Sequence, residues 1–409
     1  MIRWITDRLG TAPASSTELT ADLRVLDVRD MVDKHGNEAA AVRIKIEEGV
    51  AALGAGARLV VCCDYGISRS NSIAAGILAV TEGIALSAAA RRVSAATGEL
   101  DMKLEPMAAV SAALGQTGRP QRDAASPRLL ITGGSGFIGQ ALKRARPGLA
   151  TAFVQRSDAD LMGGPLALDI LAKDSGAELI VHLANPRIYT SNRALGEMIT
   201  MLRNVLDVCR ANGADLIYLS GWEVYSGYRS PDIVADEHLP LLPKGPYGEA
   251  KLLCEELIDL HRKLYGLRAT IVRPTPVYGP GSDRPKFIFN FLAKALASVP
   301  IRCHEYANGK PALELLHIDD LVSAILAMLV RPVGGSVNLG GGTLITTEAI
   351  ARMIVDIVGS SSTVEFNQIA DDVANVRMDC TLAKRELGWM PHTSVENGIR
   401  SLVGQARGE

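Results

Sequence analysis

The chain has 409 residues, 47% of them apolar and only 4% aromatic, and a formal net charge of −2. That supplies apolar material for two or three cores, and it gives no electrostatic footprint for nucleic acid or an acidic membrane surface. No apolar run reaches the roughly 18 residues a spanning helix needs, and "MIRWITDRLG" lacks the apolar centre of a secretion signal.

Six cysteines and seven histidines are scattered without zinc-site spacing or the density of a disulfide scaffold. A cytoplasmic, reduced chain without metal is the expectation. Along the N-terminal part, the apolar runs "LRVLDV" and "ARLVVCC" predict strands, and "RSNSIAAGILAVTEG" and "LSAAARRVSAATG" predict alanine-rich helices. "GQTGRPQRDAASPRL", Gly115 to Leu129, has the composition of a linker. Beyond it, "RLLITGG", "ATAFVQ", "LIVHLAN", "LIYLSG" and "ATIVRP" read as buried parallel strands separated by helix-length segments. Strand and helix alternating in this way predict a doubly wound α/β sheet. The predicted boundaries are a domain over residues 1–117, a linker over 118–127, and a larger domain over 128–409.

Cys63 ends the "ARLVVCC" strand, Arg69 follows after five residues, and a helix is expected next. Such a loop can turn its backbone N–H groups inward as an anion nest, with Arg69 closing over an oxyanion in a bidentate fork. The same field lowers the pKa of a thiol and favours attack on phosphorus.

This stretch resembles the signature of cysteine-dependent phosphatases, particularly the dual-specificity type, in Cys63, Gly66, Arg69 and Ser70. "WITDRLGTAP" and "VLDVRDM" are similar to that family's opening strand and the strand before its general-acid loop. The resemblance implies a small α/β phosphatase domain with Cys63 as nucleophile and Arg69 on the phosphate. Ser70 would aid breakdown of the phosphocysteine, and Asp30 would be the leaving-group acid, with Asp33 in reserve. The family's histidine before the nucleophile is Cys62 in this chain, which removes one support for the thiolate.

Thr132 to Gly139, "TGGSGFIG", joins a predicted strand to a predicted helix. Gly133 permits a tight turn, Gly136 lets the backbone approach a pyrophosphate, and Gly139 lets helix and strand pack closely. Tyr247 and Lys251 stand four residues apart, on one face of a helix. A nearby ammonium is expected to lower the phenol's pKa and let Tyr247 take a proton from a hydroxyl.

From about Arg128 onward the chain resembles the extended short-chain dehydrogenase/reductases of the nucleotide-sugar epimerase and dehydratase family. The match is carried by "TGGSGFIG", "LDI", "HLAN", "PYGEAK", "RPTPVYGPG", "LLHIDDLVSAI", "VNLGGG" and "KRELGWMPHTSVENGIRSL". The resemblance implies a Rossmann-type sheet with a smaller C-terminal substrate-binding subdomain, and a sugar or nucleotide-sugar substrate. It implies cofactor contacts from Gly133, Gly136, Phe137, Ile138, Gly139, Asp169, Ile170, Leu183, Ala184, Tyr247 and Lys251. A homodimer is expected through the helices "EMITMLRNVLDVCRANG" and "YGEAKLLCEELIDLHRKL".

Cofactor choice turns on the end of the second strand, where Gln155 or Arg156 takes the place of the carboxylate that NAD enzymes put on the ribose. NADP is therefore favoured over NAD, with Arg156 on the 2′-phosphate, although Asp158 follows closely. The family's second serine slot is Gly221, so Ser220 becomes the candidate donor to the substrate oxygen. Glu223 falls where sugar dehydratases keep a catalytic acid, with Trp222 in place of their Asp, and Pro276 stands where Asn often contacts the sugar nucleotide. The expected whole is a phosphatase fused to an NAD(P)-dependent epimerase-like enzyme, acting on a phosphate ester and a sugar. The alternatives are an N-terminal domain that only binds phosphorylated ligands, a reductase or dehydratase, and a non-catalytic cofactor-binding scaffold.

Overall fold

A computed structural model gives the structure of residues 1–116, 128–146, 151–230 and 232–408; the linker expected at 118–127 lies outside these described residues. The described parts of Met1–Arg122, Gln155–Glu178 and Arg203–Ala214 form one unit, and those of Asp123–Val154, Leu179–Leu202 and Asp215–Glu409 a second.

The N-terminal part runs β1 (Arg3–Trp4), β2 (Leu9–Pro13), β3 (Arg24–Asp27), α1 (Ala39–Gly54), β4 (Leu59–Cys63), α2 (Arg69–Glu82), α3 (Leu86–Thr97) and α4 (Leu104–Ala113). Its four strands lie in the order β1-β2-β4-β3, with β4 parallel to both neighbours and β1 antiparallel to β2. Every residue of β4 is buried, as its unbroken apolar run requires of a central strand. Residues Arg69 to Ala79 of α2 are all buried too. The small residues of that helix make this possible: a Cβ added at Gly76 would come within 2.9 Å of Ile46 and Val110.

The chain continues through β5 (Leu129–Thr132), α5 (Phe137–Ala145), β6 (Thr151–Val154), α6 (Leu166–Ser175), β7 (Leu179–His182), α7 (Asn192–Asn212) and β8 (Asp215–Leu219). Next come a 3-10 turn at Trp222–Tyr225, β9 (Ile233–Ala235), α8 (Gly245–Tyr265), β10 (Ala269–Pro274), β11 (Val277–Tyr278), α9 (Lys286–Leu296) and β12 (Ile301–Tyr306). The remainder is β13 (Ala312–Glu314), β14 (Leu316–His317), α10 (Ile318–Val330), β15 (Gly335–Leu339), β16 (Leu344–Thr346), α11 (Thr347–Val358), β17 (Val364–Ile369), β18 (Val376–Met378), α12 (Thr381–Leu387) and α13 (Val395–Arg407).

Six strands form one all-parallel sheet in the order β15-β10-β8-β7-β5-β6, a Rossmann-like α/β arrangement. Five of them are the predicted strands; the sixth, β15, carries the "VNL" that opens the "VNLGGG" segment. Strand order reverses beside β5, so the crevice beyond the carboxyl ends of β5 and β7 is where such a sheet takes a ligand. The C-terminal segments add two-stranded pairs β11–β14, β12–β17, β13–β16 and β9–β18. A separate core of Ile288, Phe291, Ile301, Ile350, Ile354 and Leu402 lies among α9, β12, α11 and α13.

Candidate active sites

The glycine turn between β5 and α5 has the geometry its sequence predicts. Gly133 adopts φ +73°, and a Cβ there would lie 2.7 Å from the backbone nitrogen of Ala184, in the loop after β7. A Cβ at Gly139 would meet the Gly133 carbonyl at 2.6 Å, so the helix packs directly on the turn. Phe137 and Ile138 form the first turn of α5, and no side chain caps that helix. The loop of Leu183 and Ala184 is thus held against the turn. Beneath it, Thr132 Oγ1 and His182 Nδ1 share a hydrogen bond of 2.7 Å, and burial holds His182 neutral with a pKa down at about 3.

The same loop reaches the second motif. Asn185 follows Ala184, and its Oδ1 accepts from Lys251 Nζ at 3.3 Å. Lys251 is buried and also donates to the Leu219 carbonyl at 2.7 Å and to Tyr218 Oη at 3.4 Å. Burial brings its pKa down to about 8. The Tyr247 ring packs on Tyr189 with centroids 4.6 Å apart, and the Arg284 guanidinium lies 4.2 Å from the Tyr189 ring centre. Asn185 was within a predicted motif segment; Tyr189 and Arg284 carry no sequence signal because only folding brings them in.

Two expectations are corrected at this site. Lys251 does not pull the phenol down: its ammonium turns to the Leu219 carbonyl and lies 5.5 Å from the Tyr247 ring centre. Burial, with the nearby Glu223 and Tyr189, instead pushes Tyr247 well above the ordinary phenol value, against the opposing pull of Asn185 and Arg284. Ser220 does not reach toward a substrate either. Its hydroxyl donates to Glu255, which is itself locked by Arg273 at 2.6 Å in a buried pair.

Of the other candidate cofactor residues, Arg156 is largely exposed and pairs with Asp160 at 3.0 Å, while Asp158 accepts from the Gln155 N–H at 2.8 Å. Asp169 and Ile170, expected at adenine, lie in the first half of α6 and are buried. Asp169 accepts from Lys173 at 2.6 Å on one oxygen and from Asn212 at 2.7 Å on the other. This carboxylate ties α6 to α7, because the helix begins before it and turns it inward.

Around Cys63 the loop to α2 curls so that a backbone N–H reaches the sulfur. Gly66 has φ +71°, and a Cβ there would lie 2.6 Å from the Pro13 nitrogen, so glycine is required both by conformation and by space. The Gly66 N–H donates to Cys63 Sγ at 3.2 Å, and Ser70 Oγ is hydrogen-bonded to that sulfur at 3.3 Å. Burial opposes the thiolate, yet the bonds from Ser70, Ile67 and Gly66 outweigh it and bring Cys63 below the ordinary thiol value. Burial pushes its neighbour Cys62 up to about 11.

Arg69 is not an open fork. It donates to the carbonyls of Met31 at 2.9 Å and Arg29 at 3.2 Å, pairs with Asp64, and lies 3.3 Å from Asp33. Asp30 pairs with Lys45 at 2.9 Å and is exposed. The reserve acid, Asp33, is therefore the one drawn to the arginine. Among the described residues no cluster of His, Cys, Asp and Glu could hold a metal ion, and no helix is long and apolar enough to cross a membrane.

A glycine turn at the switch point of a parallel sheet thus shares one loop with a Tyr and Lys pair. The model of the NAD dependent epimerase/dehydratase family matches residues 129–340, just over half of the chain, and the chain belongs to that family. It is 28% identical over 248 residues to the "Uncharacterized UDP-glucose epimerase YtcB" of Bacillus subtilis, covering 58% of this chain and 77% of the relative. The fold is similar to that of a Thermus thermophilus UDP-glucose 4-epimerase in complex with NAD (TM-score 0.60, 22% identity, 69% of this chain and 99% of that one). It is equally similar to RMD from Pseudomonas aeruginosa complexed with NADPH (TM-score 0.60, 21% identity, again 69% and 99%).

Proposed function

We propose that residues 128–409 form an NAD(P)-dependent epimerase-like oxidoreductase acting on a nucleotide sugar, and that residues 1–117 form a phosphate-ester-binding domain. The observation that carries the first part is the loop after β7: through Ala184 it touches the glycine turn, and through Asn185 it touches Lys251. Gly133, Gly136 and Gly139, with the uncapped start of α5, would hold the pyrophosphate. A bound nicotinamide would supply a hydride acceptor and donor.

The chain's own groups handle the proton. Tyr247 is the group that exchanges a proton with the substrate hydroxyl. Its phenol is protonated at neutral pH in the chain alone, so it begins as a hydrogen-bond donor to the substrate and needs added positive charge to act as a base. Lys251 is fixed by the Leu219 carbonyl and Asn185, ready to hold a ribose hydroxyl.

UDP-glucose with each nucleotide is the direct test. Epimerisation leaves the product mass unchanged, whereas dehydration or net reduction changes it, so mass analysis discriminates among the three. No turnover with any nucleotide sugar, together with intact cofactor binding, would leave only a scaffold. NADP is favoured over NAD by the exposed Arg156 beyond β6, and equal affinity for both in calorimetric titration would remove that preference. Leu253, Leu260 and Leu264 of α8 are exposed apolar residues on one helix face, which supports a homodimer. A monomer mass by light scattering would exclude it.

A second reading makes the N-terminal domain a working cysteine phosphatase, favoured by the Gly66 N–H on Cys63 Sγ. In that reaction the thiolate bonds to phosphorus as the ester oxygen leaves and takes a proton from a carboxylic acid, which Asp33 or Asp30 would supply. Water then releases phosphate from the cysteine. Hydrolysis of para-nitrophenyl phosphate separates catalysis from binding alone.

A further inference from the structure

The end of β8 runs Ser220-Gly221-Trp222-Glu223, and Ser220 is engaged by Glu255. Gly221 is buried with φ −176°, an extended backbone that any residue adopts, so conformation does not demand glycine there. Space does. A Cβ at Gly221 would lie 2.3 Å from Glu223 Oε2, and every atom it would meet within 4 Å belongs to Glu223. The carboxyl of Glu223 fills the place a side chain at 221 would take. Next to it, the buried Trp222 indole N–H acts on the same carboxyl as a hydrogen-bond donor.

We propose that the Glu223 carboxyl, lodged in the space Gly221 leaves, donates a hydrogen bond to the substrate oxygen that exchanges its proton with Tyr247. This rests on the oxidoreductase reading above. Glu223 keeps its proton in the step and only polarises the oxygen. Its titratable and charged neighbours are Lys251 and Tyr247 from α8, with Tyr189 and Arg284 beyond Tyr247. The side chain is only half-buried by area, yet its carboxyl is enclosed enough that burial pushes the pKa up to about 7, against Lys251 and Trp222. A carboxyl titrating there is a donor below neutrality and loses that capacity as pH rises.

The test uses the full chain with NADP and UDP-glucose as the probe. Glu223→Ala is expected to lower kcat about a hundredfold, the loss of one positioned donor, without weakening NADP binding. Adding Gly221→Ser to that variant puts a hydroxyl into the vacated space and is expected to restore much of the rate. Gly221→Ser alone displaces the carboxyl and is expected to lower it. Glu223→Gln keeps a donor that cannot ionise, so the wild-type fall in kcat as pH rises through about 7 should vanish. An unchanged kcat in Glu223→Ala, or the same alkaline fall in Glu223→Gln, overturns the proposal. Difference infrared spectroscopy gives a readout that needs no turnover. A protonated-carboxyl band, lost in Glu223→Gln and titrating near neutrality, is expected; no such band overturns the proposal. A chain that binds neither NADP nor UDP-glucose defeats the oxidoreductase reading instead, and the infrared result then judges Glu223 independently.

Discussion

The Cys63 loop and the Tyr247 site reach readiness by opposite routes. In the loop, the groups that lower the thiol all lie within seven residues of Cys63, and they do so with no ligand bound. At Tyr247 the helix supplies Lys251 one turn away, but the ammonium is turned elsewhere and burial dominates the phenol. A nest built from consecutive N–H groups is complete once the chain turns. A pair on a helix face shares a direction but not a hydrogen-bond geometry, which must come from what binds against it.

If the contrast is right, the largest effect belongs to the nucleophile. Cys63→Ser is expected to eliminate any hydrolysis of para-nitrophenyl phosphate, measured by nitrophenolate release, and to leave NADP affinity untouched. Persisting turnover would assign the chemistry to Cys62, a poor candidate with its thiol pushed up to about 11, or to no covalent step. Tyr247→Phe comes next: kcat on UDP-glucose should fall about 10²–10⁴-fold, the usual worth of a positioned acid or base, with the cofactor Kd unchanged. Loss of cofactor binding in that variant would make Tyr247 a structural residue.

A smaller change would sharpen the contrast. Asp64→Asn removes one carboxylate from Arg69, so the guanidinium can turn to an anion, and the KM for para-nitrophenyl phosphate should fall by about tenfold. A raised KM would mean that Asp64 holds the loop rather than competing with substrate. The smallest effect is expected for Arg156→Ala, since its exposed ion pair is worth under about 1 kcal/mol. Calorimetry should show NADP weakened by about fivefold and NAD unaffected; equal loss of both would move the 2′-phosphate contact elsewhere.

The sequence by itself determined whatever depends on neighbours along the chain. An apolar run of five makes β4 a buried strand, and small residues let α2 sink into the fold. Gly66 and Gly133 turn where only glycine has the conformation. Five of the six strands of the parallel sheet were legible for the same reason, since each is a short apolar run between helix-length segments. The tertiary structure alone decided what joins distant residues. It pairs Ser220 with Glu255, brings Asp33 rather than Asp30 to Arg69, turns Asp169 from an adenine contact into a tie between helices, and sets Tyr189 on Tyr247. Even Gly221 and Glu223, two residues apart, meet only because the 3-10 turn folds the carboxyl back over the strand end. Local periodicity and turn chemistry act within a few residues, whereas a side chain's hydrogen-bond partner is settled by which groups packing leaves within about 3 Å of it.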